Sequence, residues 1–437
     1  MPTPLYDALR AFAGENNLRM HMPGHKGKPL PAPEFEGVTS IDFTELSPTG
    51  NLYEEGEPFD TAQKLWADAF GFENCQFLTG GSTMGIHTGL TLCCPTGSQV
   101  LVDRGCHRSV FHSMALLDLE PVYLPRPWAG EEGLVGPFVP SDVEKMLDEH
   151  PNIKTVCITS PTYSGVLSDV KGISQMIHAR GGKLMVDGAH GAHLPFLGVD
   201  AFEGADVVVV SAHKTLPAMG QSALLFTNGF DPNLVRRYAT LYGSSSPSYP
   251  MLASMDVARD WMEGQGGEDC RRVAHRVEQM RKIFPSLVDK FDLDPCRLTV
   301  KSKDGPALTK RLEEIGVYPE MEDGGHVVFI LTCMDSDADL DRLEGALEAN
   351  RDLLGDRSVP LPPPPMPRAV ISQRQALFAK TESLPLEDCE GRVAACQLAP
   401  YPPGIPVVAP GELISKKELS YFKQIGYNQK LVEVVAE

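Results

Sequence analysis

The sequence has no apolar run long enough to cross a bilayer as a helix. Its most hydrophobic stretches, such as Asp206-Val-Val-Val-Val210, are strand-sized, whereas a spanning helix needs roughly 18 or more apolar residues. No basic segment followed by an apolar one appears at Met1-Pro-Thr-Pro-Leu-Tyr-Asp7, so no secretory signal is expected and the cytoplasm is the expected location. Positive charge is scarce: 39 Lys and Arg stand against 58 Asp and Glu, for a net charge of −19. Without a basic cluster longer than two or three residues, neither nucleic acid nor an anionic membrane surface is an expected partner. The negative surplus serves solubility and is compatible with a cationic small substrate. Ten cysteines are scattered with no Cys-x-x-Cys spacing, which excludes a disulfide framework and a zinc cage. No metal is expected.

What remains is an ordinary globular composition, 42% hydrophobic and 22% charged over 437 residues, enough for two or three domains. No internal repeat appears. The one low-complexity piece, Leu361-Pro-Pro-Pro-Pro-Met-Pro367, reads as a stiff connector. Between about 60 and 255, short apolar runs alternate with helical patterns. The runs are Cys75-Gln-Phe-Leu78, Val100-Leu-Val-Asp103, Thr155-Val-Cys-Ile158, Leu184-Met-Val-Asp187 and Asp206 to Val210. The pattern predicts an α/β fold with a mostly parallel sheet buried on both faces.

A helical stretch over 251–287 places Trp261, Val273, Val277, Met280 and Phe284 on one face. Beyond it, Arg297-Leu-Thr-Val300 and His326-Val-Val-Phe-Ile-Leu331 read as strands. A charged helix over 337–354, capped by Ser336, completes a smaller C-terminal α/β domain. The expected division is an N-terminal arm (1–59), a large domain with its connecting helix (60–287) and a small domain (288–437) that includes the connector 361–367.

A buried parallel sheet binds its ligands at the carboxyl ends of its strands, so the polar residues after each run carry the function. Gly80-Gly-Ser-Thr-Met-Gly85 follows the first run and opens a helix. Free N–H groups there, with Ser82 and Thr83 hydroxyls and a close backbone approach at Gly81, suit a phosphate; the same residues also suit an N-cap. Asp187-Gly-Ala-His190 puts a carboxylate at a strand end, fit to hold a protonated ring nitrogen. Asp187 and His190 with His193 would alternatively space as metal ligands. Ser211-Ala-His-Lys-Thr-Leu216 places Lys214 directly after a buried strand, where desolvation favours a nucleophilic amine. His107, at the end of Asp103-Arg-Gly-Cys-His107, suits stacking over a planar cofactor or helix capping. A phosphate cradle, a carboxylate, a stacking imidazole and an amine at one sheet edge are the parts that pyridoxal 5′-phosphate requires.

Three segments extend this into a family resemblance. They are His21-Met-Pro-Gly-His-Lys26 with Asp42-Phe-Thr-Glu-Leu46; Ser211-Ala-His-Lys214 with Gln221; and Gly391-Arg392 leading to Pro400-Tyr-Pro-Pro-Gly-Ile-Pro406 and Pro410-Gly-Glu412. The chain resembles the bacterial-type ornithine/lysine/arginine decarboxylases among the fold type I pyridoxal-phosphate enzymes, whose large domain is aspartate aminotransferase-like. The resemblance implies Lys214 as the covalent anchor of the cofactor, Asp187 as the partner of its ring nitrogen and His107 as the stacking residue. Ser82, Thr83, Ser211 and His213 would lie at or near the phosphate, with Gly81 and His190 as further cofactor contacts. Ser245, in Gly243-Ser-Ser-Ser-Pro-Ser-Tyr249, would reach the partner subunit's phosphate. The family's large members carry an N-terminal wing domain that has no counterpart here, so a homodimer or a multiple of dimers is expected, with the active site at the subunit interface.

The implied reaction removes CO2 from a basic L-amino acid, with arginine slightly favoured over lysine and ornithine. His213 or Lys214 would return the proton. Asp42, Glu45, Glu54, Glu55, Glu57 and Glu412 are the carboxylates open to the substrate's cationic side chain, Glu412 being the more structural in character. Two other readings stay open: an aminotransferase or cysteine desulfurase on the same scaffold, and a catalytically dead homologue that regulates an active enzyme. His21 and His25 are not a helical metal pair, because Pro23 and Gly24 between them forbid a regular helix.

Overall fold

The computed structural model describes residues 2–15, 17–35, 37–287, 290–359, 362–400, 405–427 and 429–436. Residues 288–289 at the expected domain boundary, Leu361 of the connector and 401–404 of the Pro400 motif lie outside the described residues.

The strands up to residue 227 are β1 (Asn74–Leu78), β2 (Gln99–Asp103), β3 (Glu120–Leu124), β4 (Trp128–Ala129), β5 (Leu134–Val135), β6 (Thr155–Thr159), β7 (Lys183–Asp187), β8 (Val207–Val210) and β9 (Ala223–Thr227). Seven of them form one sheet in the order β1-β9-β8-β7-β6-β2-β3, and β4 pairs with β5 alone. Neighbours β7 and β8, β2 and β6, and β2 and β3 run parallel. β9 is the exception, antiparallel to both β1 and β8. Its connection, from Val210 to Ala223, carries only the four-residue helix Ala212–Thr215, whereas a parallel return usually runs through a full crossover helix. All four residues of β8 are valines with no exposed surface, as expected where branched side chains pack on both sheet faces.

The chain divides into two compact units. The first comprises Met1–Leu92, Met185–Val273 and Thr332–Met334. In it, helix Gly81–Cys93 carries glycines at 81, 85 and 89, four apart on one face. A Cβ on Gly85 would come within 2.5 Å of Val209 Cγ1 and 2.7 Å of Leu78 Cδ1. That glycine is what lets the helix lie directly against the sheet. Phe70, on helix Phe59–Phe70, stacks on Phe226 of β9 at 4.1 Å between ring centroids. Helix Pro4–Ala13 buries Leu5 and Leu9, and Asp256 accepts the N–H groups of Leu5 and Tyr6 at 2.9 and 3.2 Å.

Burial pushes the Asp256 carboxyl from 3.8 up to about 6, while the Tyr6 and Leu5 N–H groups and the Arg259 charge pull it back. The folded chain therefore keeps a proton that the unfolded chain has released. Stability is expected to fall by roughly 3 kcal/mol as pH rises from about 4 to 6. Asp256→Asn should remove that part of the slope, read from urea midpoints across the interval.

The expected helix over 251–287 is two helices, Tyr249–Met262 and Gln265–Ile283. The break at Glu263 and Gly264 resets the helical phase. Trp261 is accordingly 41% exposed and Met262 takes the buried position at 1%, while Val273, Val277, Met280 and Phe284 are buried as expected.

The second unit comprises Cys93–Leu184, Ala274–Leu331 and Asp335–Glu437. Strands Arg297–Lys301, His326–Ile330 and Met321–Glu322 form a three-stranded antiparallel sheet. Ser336 caps the charged helix by accepting from Asp339 N, and Asp339 accepts from Ser336 N in return. That helix ends at Ala349, five residues short of expectation, because the Asn350 side chain bonds back to Ala346 O at 2.9 Å and a 3-10 turn follows. The C-terminal segment adds a two-stranded sheet, Thr381–Pro385 with Leu431–Val435, over a core of Val408, Ile414, Phe422, Val432 and Val434.

Candidate active site

In the first unit, β7 and β8 end side by side, with Asp187 paired in register to Val209. Asp187 is buried and its Oδ1 accepts from Ala189 N at 3.2 Å. Gly188 leaves room for the Phe202 ring, which a Cβ would meet at 2.6 Å. Three residues past Asp187, the buried His190 presents Nε2 to Lys214 Nζ, which donates to it at 2.9 Å. Lys214 is half-buried on the short helix after β8. His213 donates from Nδ1 to Ser222 O at 2.8 Å, an arrangement that leaves Nε2 as the basic nitrogen.

Among the described residues the buried Ser211 hydroxyl meets no hydrogen-bond partner, and the same holds for Ser222. Buried hydroxyls without partners are costly unless a ligand or water satisfies them. Sequence reasoning missed Ser222 because it missed β9, although the apolar run Ala223-Leu-Leu-Phe-Thr227 that follows it was the available signal.

Gly81 opens its helix with φ +67°, in the left-handed region, and a Cβ there would lie 3.8 Å from Gln221 O. The head of that helix is thus beside the loop that joins Lys214 to β9. Ser82 is half-buried and Thr83 exposed. Ser245 lies exposed on the turn at 244–246, held by Ser246 N donating to Ser244 Oγ.

His107 belongs to the second unit. It caps helix Arg108–Leu117, its Nδ1 accepting from Ser109 N at 3.3 Å and lying 2.9 Å from Ser109 Oγ. Capping therefore holds its ring in a defined orientation.

The six candidate carboxylates differ in their surroundings. Glu412 is buried against Arg104 at 2.9 Å. Burial pushes its carboxyl up to about 7, against the opposing pull of the Arg104 charge. Asp42 pairs with His25 Nε2 at 3.1 Å. Glu57 accepts from Thr61 Oγ1 at 2.6 Å, and Glu54 and Glu55 are exposed. Glu45 is half-buried, accepts from Thr44 Oγ1 at 2.5 Å and has no cationic partner among the described residues. Burial pushes the Tyr53 hydroxyl up, and the Glu45 charge pushes it further up.

These residues fit pyridoxal phosphate. An amine, a buried carboxylate, a helix start with free N–H groups and an unsatisfied serine hydroxyl match its aldehyde, its ring nitrogen and its phosphate.

A profile of the Orn/Lys/Arg decarboxylase major domain matches residues 3–304. A profile of the C-terminal domain of the same enzymes matches residues 362–431. The chain belongs to the Orn/Lys/Arg decarboxylase family. It is similar to an arginine decarboxylase of Bacillus subtilis (strain 168), 30% identical over 97% of this chain and 94% of that protein. The constitutive lysine decarboxylase of Escherichia coli (strain K12) is 23% identical over 95% of this chain and 76% of its own length. The structure of the Francisella novicida lysine decarboxylase LdcF covers 99% of this chain and 81% of its own at a TM-score of 0.84 and 20% identity. The architecture is that of the fold type I enzymes. Membership makes this chain a pyridoxal-phosphate-dependent carboxy-lyase and sets aside the aminotransferase and desulfurase readings. Among the described residues no helix is long and apolar enough to cross a membrane.

Proposed function

We propose that this chain decarboxylates L-arginine in the cytoplasm, with pyridoxal 5′-phosphate anchored at Lys214. The observation that carries the reading is the Lys214 amine, 2.9 Å from His190 Nε2 and on the strand end adjoining Asp187. When bound, the cofactor supplies a cationic ring that accepts the electron pair of the breaking Cα–carboxylate bond.

The chain's own residues do the rest. Lys214 offers a partly desolvated amine, and His190 orients it by accepting its N–H. Asp187 keeps a proton on the ring nitrogen through a charge-assisted bond. The N–H groups from Gly81 onward, with Ser82, Thr83 and Ser211 hydroxyls, receive the phosphate. His213, its Nδ1–H committed to Ser222 O, has Nε2 available to return a proton to Cα, a role it shares with Lys214. His107 as the ring-stacking residue rests on the family motif.

We also propose a homodimer, or a multiple of dimers, in which Ser245 completes the partner's phosphate site. Leu18 and Met20 support it, because they are 85% and 79% exposed and large apolar side chains on one arm suit coverage by a second subunit. The division into an arm (1–59), a cofactor domain (60–287) and a small domain (288–437) belongs to the same reading.

Support for arginine comes from the Bacillus subtilis arginine decarboxylase, similar over nearly the whole of both chains. CO2 release from L-arginine, L-lysine and L-ornithine tests it directly. Arginine is expected to lead in kcat/KM by at least about tenfold; a lead by lysine or ornithine overturns the choice. For the substrate's cationic end we propose Glu45, half-buried and without a cation of its own among the described residues. Glu45→Gln is expected to raise KM for arginine by about 10- to 100-fold, since a charge-assisted bond contributes roughly 1.5–3 kcal/mol. An unchanged KM removes Glu45 from the pocket.

A further inference from the structure

Two buried charged residues, Asp103 at the end of β2 and Arg104 just after it, precede His107, and each is tied to a different part of the second unit. Asp103 accepts from Gly105 N at 2.7 Å, from Arg126 Nη2 at 2.6 Å and from Thr159 N at 3.3 Å. Arg104 reaches the C-terminal segment instead. Its Nη1 donates to Pro406 O at 3.0 Å, and its Nη2 donates to Val407 O and to Glu412 Oε2, both at 2.9 Å. Glu412 Oε2 also accepts from Ala409 N at 2.7 Å. The guanidinium lies 5.0 Å from the Tyr123 ring centroid and 5.5 Å from that of Phe111. Side-chain exposure is 8% for Arg104 and 1% for Glu412.

A buried ion pair adds little net stability over apolar residues of equal volume, because desolvation offsets its attraction. What it supplies is geometry. A planar fork shared among three acceptors admits one placement of its side chain. The backbone is held at the same point, with Arg104 N donating to Leu124 O at 2.9 Å and Cys106 N to Asp103 O at 3.1 Å.

We propose that Arg104 is a positioning residue, whose fork onto Pro406, Val407 and Glu412 locks the turn that aims the His107 ring. The inference rests on the reading of His107 as the ring-stacking residue. It gives the C-terminal Pro-Gly-Glu segment a function: that segment is the fixed body against which the turn is braced.

The test uses holoenzyme loaded with pyridoxal phosphate. Arg104→Lys keeps the charge and loses the planar fork. It is expected to lower kcat on the preferred amino acid by about 10- to 100-fold, with KM within about twofold. The visible circular dichroism of the bound cofactor should change; the thermal midpoint is expected to fall as well, because buried acceptors lose their donors, and it is not the deciding readout. Glu412→Gln keeps the acceptor oxygen, loses the charge and should change the dichroism in the same direction to a smaller extent. It also serves as the readout should Arg104→Lys fail to fold. Wild-type kcat with wild-type cofactor dichroism in either folded variant overturns the proposal, whatever happens to the thermal midpoint. His107→Ala separates the two layers. If it leaves the dichroism unchanged, the His107 assignment fails and the positioning role fails with it. If it alters the dichroism and Arg104→Lys does not, only the positioning role fails.

Discussion

Lys214→Ala is expected to lose at least about 10⁴-fold in kcat, the scale seen when a covalent catalytic group is deleted. It should also lose the borohydride-stable cofactor label that the unaltered enzyme acquires at this position. Lys214 is held by His190 at 2.9 Å on a four-residue helix immediately after β8, so a free amine added to the solution would have to find the same placement unaided. Peptide mapping after reduction identifies the labelled lysine. A label elsewhere, or turnover retained in Lys214→Ala, rules out the proposed chemistry.

Asp187 carries the second large effect. Asp187→Ala is expected to cost about 3–4 kcal/mol of transition-state stabilisation, roughly 10²- to 10³-fold in kcat. The carboxylate also accepts from Ala189 N, so alanine removes a structural bond together with the charge. Asp187→Asn distinguishes the two losses. It keeps an acceptor for Ala189 N and gives up the charge, so its unfolding midpoint should stay near wild type while kcat still falls. Full activity in folded Asp187→Asn would mean that the charge does not act on the ring.

Much of the site was legible because a buried parallel sheet concentrates chemistry at its strand ends. Asp187, His190, Ser211 and Lys214 each follow a short apolar run, and in the first unit the ends of β7 and β8 bring them together. Their identity as amine, carboxylate, imidazole and hydroxyl then limited the cofactors they could serve. β9 was missed, and its direction was not legible in any case, since the same apolar run suits either direction and its antiparallel pairing with β1 and β8 is a tertiary fact. Trp261 lost its expected burial to Met262 for a comparable reason. A two-residue break between helices shifts the phase of every position before it relative to those after it.

The sequence by itself determined the class of protein and pointed to the residues proposed to carry its chemistry, because those depend on residue type and on the local order of strand, turn and helix. Only the tertiary structure decided how those residues are held. It directs Lys214 to His190, gives the His213 Nδ1 proton to Ser222 O and leaves the buried Ser211 hydroxyl without a hydrogen-bond partner among the described residues. It also joins Arg104 to Glu412, 308 positions later in the chain. Such pairings depend on which segments fold against one another, and no periodicity along one chain reports a contact made by long-range packing.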